Sequence, residues 1–276
     1  MPNPDAQNIF RFAPSPNGYL HLGHAYSALM NFEAAKSSGG RFLLRIEDID
    51  AARCRPEFES AVYEDLAWLG LEWQKPVLRQ STRMSAYRAA LAKLQDLSLL
   101  YPCFCTRQNL ARIATTFDPD GTAIYPGLCK QLSKAEQTHR MSLEPYALRL
   151  DMARAAQTNL AWQNDAQTIT ATPQIWGDVI LARKYIGTSY HLAVTLDDAV
   201  QGVTHVVRGQ DMFTSTHIHR LLQHLLGLPT PVYHHHALLR DDAGSKLSKS
   251  RMSKPLRTWR VEGASPLDVR KMIGLT

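Results

Sequence analysis

The sequence predicts an α/β fold, a parallel, doubly wound sheet split by an insertion. Three observations carry this. Residues 9–46 read as strand, helix, strand with short links, and a crossover helix between two short strands makes those strands parallel. The same alternation returns after about residue 195. Between them, residues 98–195 follow no such pattern and hold Cys103, Cys105 and Cys129, three of the four cysteines. The expected division is 1–97 as the first half of a nucleotide-binding domain, 98–195 as an inserted subdomain, 196–256 as the second half and 257–276 as a short C-terminal segment.

Composition sets the class. At 276 residues, 45% hydrophobic and 20% charged, the chain can bury an ordinary globular core. A net charge of +6 is compatible with a polyanionic partner. The polar start, Met1 to Asn8, has no apolar signal core, and no run of about 18 apolar residues follows. Four cysteines do not make a disulfide framework. A cytoplasmic monomer, with no membrane contact, is the expectation.

In chain order, Ile9–Ala13 is the first strand. The loop from Pro14 to Leu20 leads into a helix from about Leu22 to Ser37, with Ala25, Ala28, Leu29 and Phe32 on its buried face. His21 and His24 sit three apart at its start and share one face. Two imidazoles beside unpaired N–H groups and a positive dipole end suit a phosphate, and Gly23 lets a ligand come close. Helix capping is the other reading of the same pair. Gly39-Gly40 stops the helix, and Arg41–Ile46 is the second strand. Arg11 and Ser15 border the first strand's end, and Glu47 follows the second, so these groups converge where ligands bind in such sheets.

Arg55 to Leu69 is an amphipathic helix with Pro56 near its start and Gly70 after its end. Ser81 is a candidate cap for a helix carrying Tyr87, Leu91 and Leu94. The Cys103-Phe104-Cys105 run and Cys129 offer three thiolates where zinc wants four ligands, with His139 a candidate fourth; three reduced buried thiols are the alternative. Ala147–Met152, Asp178–Arg183 and Tyr190–Val194 read as strands, the last ended by Asp197-Asp198. Asn159–Gln174 carries little signal. Thr204–Gly209 is a strand ending in Arg208, followed by a helix from Thr214 to Leu226. In Tyr233-His234-His235-His236, a strand would put His235 on the face opposite its neighbours. Lys246, Ser248 and Lys249 crowd a polar loop, where lysines suit a triphosphate. A short helix at about Pro266–Ile273 completes the chain.

The run His21-Leu22-Gly23-His24 and the run Lys246-Leu247-Ser248-Lys249-Ser250 resemble the two signatures of class I aminoacyl-tRNA synthetases. The contexts of Arg11, Glu47, Tyr190 and Arg208 resemble the glutamyl-tRNA synthetases, and Cys-x-Cys followed by Tyr-x-x-x-Cys resembles the zinc site of the glutamyl-queuosine tRNA(Asp) synthetases. Only residues 251–276 follow the lysine loop, too few for an anticodon-binding domain, so the resemblance is to the catalytic part alone.

The resemblance implies a Rossmann-like class I fold with a zinc-containing insertion. It implies Arg11, Ala13, Ser15, Glu47, Tyr190 and Arg208 around L-glutamate, with the arginines on carboxylates, Glu47 on the ammonium and Tyr190 giving a hydrogen bond. His21, Gly23, His24, Lys246, Ser248 and Lys249 would hold ATP with Mg²⁺, and His21, His24, Lys246 and Lys249 would serve catalysis. Cys103, Cys105, Tyr125 and Cys129 would hold one structural Zn²⁺. The implied reaction forms glutamyl-adenylate and passes glutamate to the queuosine base at the wobble position of tRNA(Asp). A minimal synthetase charging a tRNA 3′ end, and a non-catalytic tRNA-binding module, are the alternatives.

Overall fold

The computed structural model describes residues 7–113, 115–239 and 254–275. Strand β1 (Ile9–Phe12) pairs in parallel with β2 (Arg41–Ile46), joined by helix α1 (Leu22–Ser37). The expected bounds of α1 and β2 hold. Gly40 allows the turn between them, because a Cβ there would collide with the Asn8 carbonyl. Helix α2 (Pro56–Trp68) begins on Pro56 and carries Glu57 and Glu59 in its first turn, where the dipole favours acids.

Strand β3 (Gln74–Arg79) then joins β2 in parallel. Its sequence, with Pro76 inside and mostly exposed side chains, carries no strand periodicity to announce it. Helix α3 (Met84–Asp96) follows a single 3₁₀ turn. Ser81 does not cap it. Its backbone N and Oγ instead donate to Asp48, at 2.8 and 2.7 Å, tying the turn to the loop after β2.

The middle of the chain leaves the parallel sheet. Strands β4 (Leu100–Cys103) and β5 (Ala147–Leu150) pair antiparallel, with helices α4 (Arg107–Ile113) and α5 (Lys134–Leu143) between them. After the short helix α6 (Met152–Ala155) comes a hairpin, β6 (Ala161–Asn164) and β7 (Gln167–Thr170), in the stretch of low signal. Strand β8 (Ile180–Ala182) then completes the small sheet β4-β5-β8.

Tyr190–Val194 is not a strand. It opens helix α7 (Tyr190–Val200), whose N-cap Ser189 accepts from Leu192 N. A five-residue run fits either element by periodicity, and the cap decides. Asp197 and Asp198 lie inside this helix and are buried, so they do not end it.

Strand β9 (His205–Gly209), helix α8 (Ser215–Leu226) and strand β10 (Val232–His236) rebuild the alternation, with β9 and β10 parallel. The hairpin β6–β7 joins β10, so residues 161–170 of the expected insertion belong to this second sheet. The two parallel sheets meet where β9 lies against β1. There Thr204 N donates to Ile9 O (3.0 Å), and Ile9 N to Thr204 Oγ1 (2.8 Å). The chain winds outward from this seam in both directions, which makes it the topological switch point of the fold.

Helices α9 (Leu256–Val261) and α10 (Pro266–Met272) close the molecule. Leu256, Val269 and Ile273 are buried in the same core as Phe10, Leu20, Leu29 and Leu44. Leu256 N donates to Leu20 O at 2.7 Å, and Pro255 bridges to His21. Among the described residues no helix is long and apolar enough to cross a membrane.

Candidate active site

A cavity of about 360 Å³ opens at the β1–β9 seam. Arg11, Ala13, Ser15, Glu47, Tyr190 and Arg208 all line it, as do Gly23 and His24. The parallel strands explain the convergence. Arg11 leaves β1, Glu47 follows β2, Arg208 lies near the end of β9, and Tyr190 starts α7.

The start of α1 is held by its own histidines. His21 Nδ1 accepts from Gly23 N (3.1 Å), and His24 Nδ1 accepts from His21 N (3.2 Å), a reciprocal cap that satisfies two helix-end donors. A Cβ on Gly23 would stand 3.0 Å from the His21 ring, so a side chain there would press on that imidazole. His21 is buried and does not line the cavity; His24 and Gly23 do. Lys246, Ser248 and Lys249 lie outside the described residues.

The charges around the cavity are unevenly matched. Asp198 accepts from Arg11 Nε (3.0 Å) and Arg45 Nη1 (2.8 Å). Burial works against the Asp198 carboxylate, but the two guanidiniums outweigh it and hold its pKa below the usual value. Arg45 also reaches Glu47 at 3.3 Å, yet burial pushes the Glu47 pKa up against the pull of Arg45 and Arg11.

Arg208 differs from these arginines. It is 7% exposed, and its hydrogen-bond partners are all neutral: His235 Nε2 (3.2 Å), His219 Nδ1 (3.3 Å), Met212 O (3.0 Å), Thr216 Oγ1 (2.6 Å) and the Tyr190 hydroxyl (3.5 Å). Among the described residues no carboxylate lies within ion-pair distance of it. The five groups of this cluster carry three positive charges (Arg11, Arg45, Arg208) and two negative ones (Glu47, Asp198), which favours an anion in the cavity.

Away from the cavity, the sulfurs of Cys103, Cys105 and Cys129 lie within 4.8 Å of one another at the end of β4. The Tyr125 hydroxyl stands 3.7 Å from Cys105 Sγ and accepts from Cys129 N at 2.7 Å. Phe104 N donates to Cys129 Sγ. His139 is not part of this cluster.

The profile of the family described as tRNA synthetases class I (E and Q), catalytic domain, matches residues 9–275. The glutamyl-Q tRNA(Asp) synthetase of Rhodobacter capsulatus is 48% identical over 97% of this chain and 100% of its own length. That of Nocardia farcinica is 40% identical over 95% of this chain and 82% of its own. The chain belongs to the glutamyl-Q tRNA(Asp) synthetase family. The crystal structure of the glutamate-tRNA synthetase from Elizabethkingia anophelis matches with a TM-score of 0.82 and 27% identity. That match covers 98% of this chain and 61% of the larger one.

For a glutamyl-Q tRNA(Asp) synthetase, the sequence shows the residues that line the cavity better than those that brace it. Local sequence does not mark Arg45, Asp198 or His219 as site residues, and His235 stands out only as one of three consecutive histidines. A charge inside the apolar run Arg41–Ile46 was a usable signal for Arg45, since a buried arginine demands partners. The doublet Asp197-Asp198 was the matching signal. Asp197 accepts from Gln80, Arg83 and Tyr87 at 3.0, 2.6 and 2.6 Å and locks α3 to α7. The histidine run of β10 splits three ways: His234 meets Asp165, His235 meets Arg208, and His236 packs edge-on to Tyr26.

Proposed function

We propose that this protein activates L-glutamate with ATP and transfers it to the queuosine base at the wobble position of tRNA(Asp). The observation that carries the reading is Arg208: a buried guanidinium with only neutral partners, facing a cavity that Arg11, Glu47, Tyr190 and His24 also line. An arginine cannot shed its charge, so such a site calls for an anion. Glutamate brings two carboxylates and one ammonium. Arg11 and Arg208 meet the carboxylates, Glu47 the ammonium, and Tyr190 donates a hydrogen bond, with Ala13 and Ser15 shaping the wall.

ATP, as its Mg²⁺ complex, docks against the start of α1. A glutamate α-carboxylate oxygen attacks the α-phosphorus, and the bond to pyrophosphate breaks. The N-terminus of α1 and His24 face the developing negative charge, with His21 holding the helix start in place. Lys246 and Lys249 complete the phosphate site, with Gly23 and Ser248. A queuosine hydroxyl then attacks the acyl carbon, and AMP leaves. Acting on tRNA, the enzyme works in the cytoplasm.

Cys103, Cys105, Cys129 and Tyr125 fit one Zn²⁺. Thiolates at about 2.3 Å from a tetrahedral zinc stand about 3.8 Å apart, and Cys105 Sγ lies 3.7 Å from Cys129 Sγ. A set of four protein ligands makes the ion structural: it fixes the loops between β4 and β5, within the stretch that separates the two catalytic halves.

The test is transfer of labelled glutamate, with ATP, onto tRNA from cells with and without queuosine. Label on tRNA(Asp) only when queuosine is present is expected. Label on tRNA(Glu) that is lost after periodate treatment of its 3′ end would make the protein a minimal charging enzyme instead.

A further inference from the structure

Arg208 has five N–H groups and no acceptor. Four of them are committed, to His235 Nε2, His219 Nδ1, Met212 O and Thr216 Oγ1, at 3.2, 3.3, 3.0 and 2.6 Å. The fifth points at the Tyr190 hydroxyl, at 3.5 Å, too far for a full hydrogen bond. That N–H, on the cavity side, is the one left for a ligand.

Because arginine only donates, it dictates where the ring protons sit. His219 Nδ1 must be bare, so its proton is on Nε2, which faces His191 Nδ1 at 3.2 Å. His235 Nε2 must be bare, so its proton is on Nδ1, which faces Asn164 Oδ1 at 2.6 Å. Both rings are therefore neutral. Burial and the nearby guanidinium agree with this, pushing the His235 pKa down to about 3 and that of His219 well below its usual value.

The groups facing this cluster are arranged so that none cancels the charge. Tyr190 and His191 come from α7, Met212 and Thr216 from the turn and helix after β9, Asn164 and Trp162 from β6, and Tyr233 from β10. Asp198 is already shared by Arg11 and Arg45.

We infer that His219 and His235 are positioning residues. Each is a neutral acceptor of fixed tautomer, and together they aim Arg208 at the cavity while leaving its charge for the substrate carboxylate. A carboxylate in either place would hold the arginine equally well and quench it. This inference rests on the glutamate reading for its substrate, while the tautomers stand apart from it.

The experiment pairs two variants of one residue. Asn places an oxygen near the position of Nδ1, so His219→Asn keeps a neutral acceptor; His219→Asp puts a charge there. In glutamate-dependent pyrophosphate exchange, His219→Asp is expected to raise KM for glutamate by at least about thirtyfold, with KM for ATP within about twofold. His219→Asn should raise KM for glutamate by no more than about threefold, a split that reads charge rather than shape. Equal losses in the two variants would overturn the inference, as would an Asp variant with unchanged KM.

Nitrogen-15 NMR of the wild-type imidazoles at pH 7 decides the tautomers without any substrate. His219 protonated on Nε2 and His235 on Nδ1 are expected. A doubly protonated ring or the opposite tautomer at either residue overturns the inference. If the wild-type protein exchanges no pyrophosphate with glutamate, the glutamate reading fails, and the NMR result still decides how Arg208 is held.

Discussion

The cavity at the β1–β9 seam and the cysteine cluster at the end of β4 both gather residues from distant parts of the chain. They end in opposite states. At the cluster, three sulfurs lie within 4.8 Å of one another and a phenol oxygen stands 3.7 Å from one of them, the donor set proposed for one ion. At the cavity, Asp198 satisfies Arg11 and Arg45, while Arg208 keeps its charge among neutral acceptors. A closed set can hold a scaffold for the life of the protein. An open set must be completed afresh by each substrate and vacated afterwards, which is what turnover requires.

Asp65 shows that an unmatched charge alone does not mark a site. It is buried in α2, neither of its oxygens has a hydrogen-bond partner among the described residues, and Arg260 stands 3.8 Å away. Burial pushes its pKa up to about 6. A carboxylate can escape burial by taking a proton; a guanidinium has no such exit. The informative case is the group that cannot neutralise itself.

The most damaging way to break the contrast is to remove the open charge. Arg208→Gln is expected to lower kcat/KM for glutamate about 10³-fold, or about 4 kcal/mol, in pyrophosphate exchange. An unchanged value would place the anion elsewhere. Next, Asp198→Asn opens the closed arginine pair and leaves two buried guanidiniums facing each other. Urea unfolding should show a loss of about 3 kcal/mol; intact stability would mean the pair was never closed by Asp198.

Cys129→Ser tests the cluster. Metal analysis of the purified protein should fall from one zinc per chain to none, with a stability loss of about 2 kcal/mol. Wild-type protein without zinc would reduce the cluster to buried thiols. The smallest effect on glutamate activation is expected at Asp65, which lines neither the cavity nor the cluster. Its folded pKa lies above its unfolded one, so the native state binds more protons between about pH 4 and 6, and stability falls as pH rises through that window. Asp65→Asn should therefore gain up to about 3 kcal/mol at pH 8, and that gain should vanish below about pH 4. A gain of the same size at both pH values would assign the effect to packing.

The sequence was most legible where local and long-range demands agree. Helix α1 and strand β2 were readable because cap, apolar face and glycine stop all point the same way. Strand β3 was not, because an edge strand with exposed polar side chains carries no core-facing alternation, and in the hairpin β6–β7 Trp162 and Ile169 alone face the core, too few to show a period. Helix α7 misled for another reason. Its apolar start is too short to show a period, and the two aspartates that resembled a turn are buried partners of arginines elsewhere in the chain. Of the residues lining the cavity, Arg11, Glu47 and Arg208 stand near or just beyond strand ends, where local sequence marks them. Those bracing it, Asp198, His219 and His235, gain meaning only from neighbours that the fold supplies.

One feature of the C-terminal segment bears on how the protein is made. Leu256, Val269 and Ile273 fill the core that β1 and α1 begin, and Leu256 N closes onto Leu20 O at 2.7 Å. Asp198, the partner of Arg11, also comes late in the chain. A nascent chain lacking residues 254–275 has an open apolar face on its first core, and one lacking α7 also has unpaired buried arginines. Contacts so distant in sequence make folding slow and leave surface exposed meanwhile. Strand β1 and helix α1 thus wait for α9 and α10, encoded far later in the chain, before their apolar face is covered.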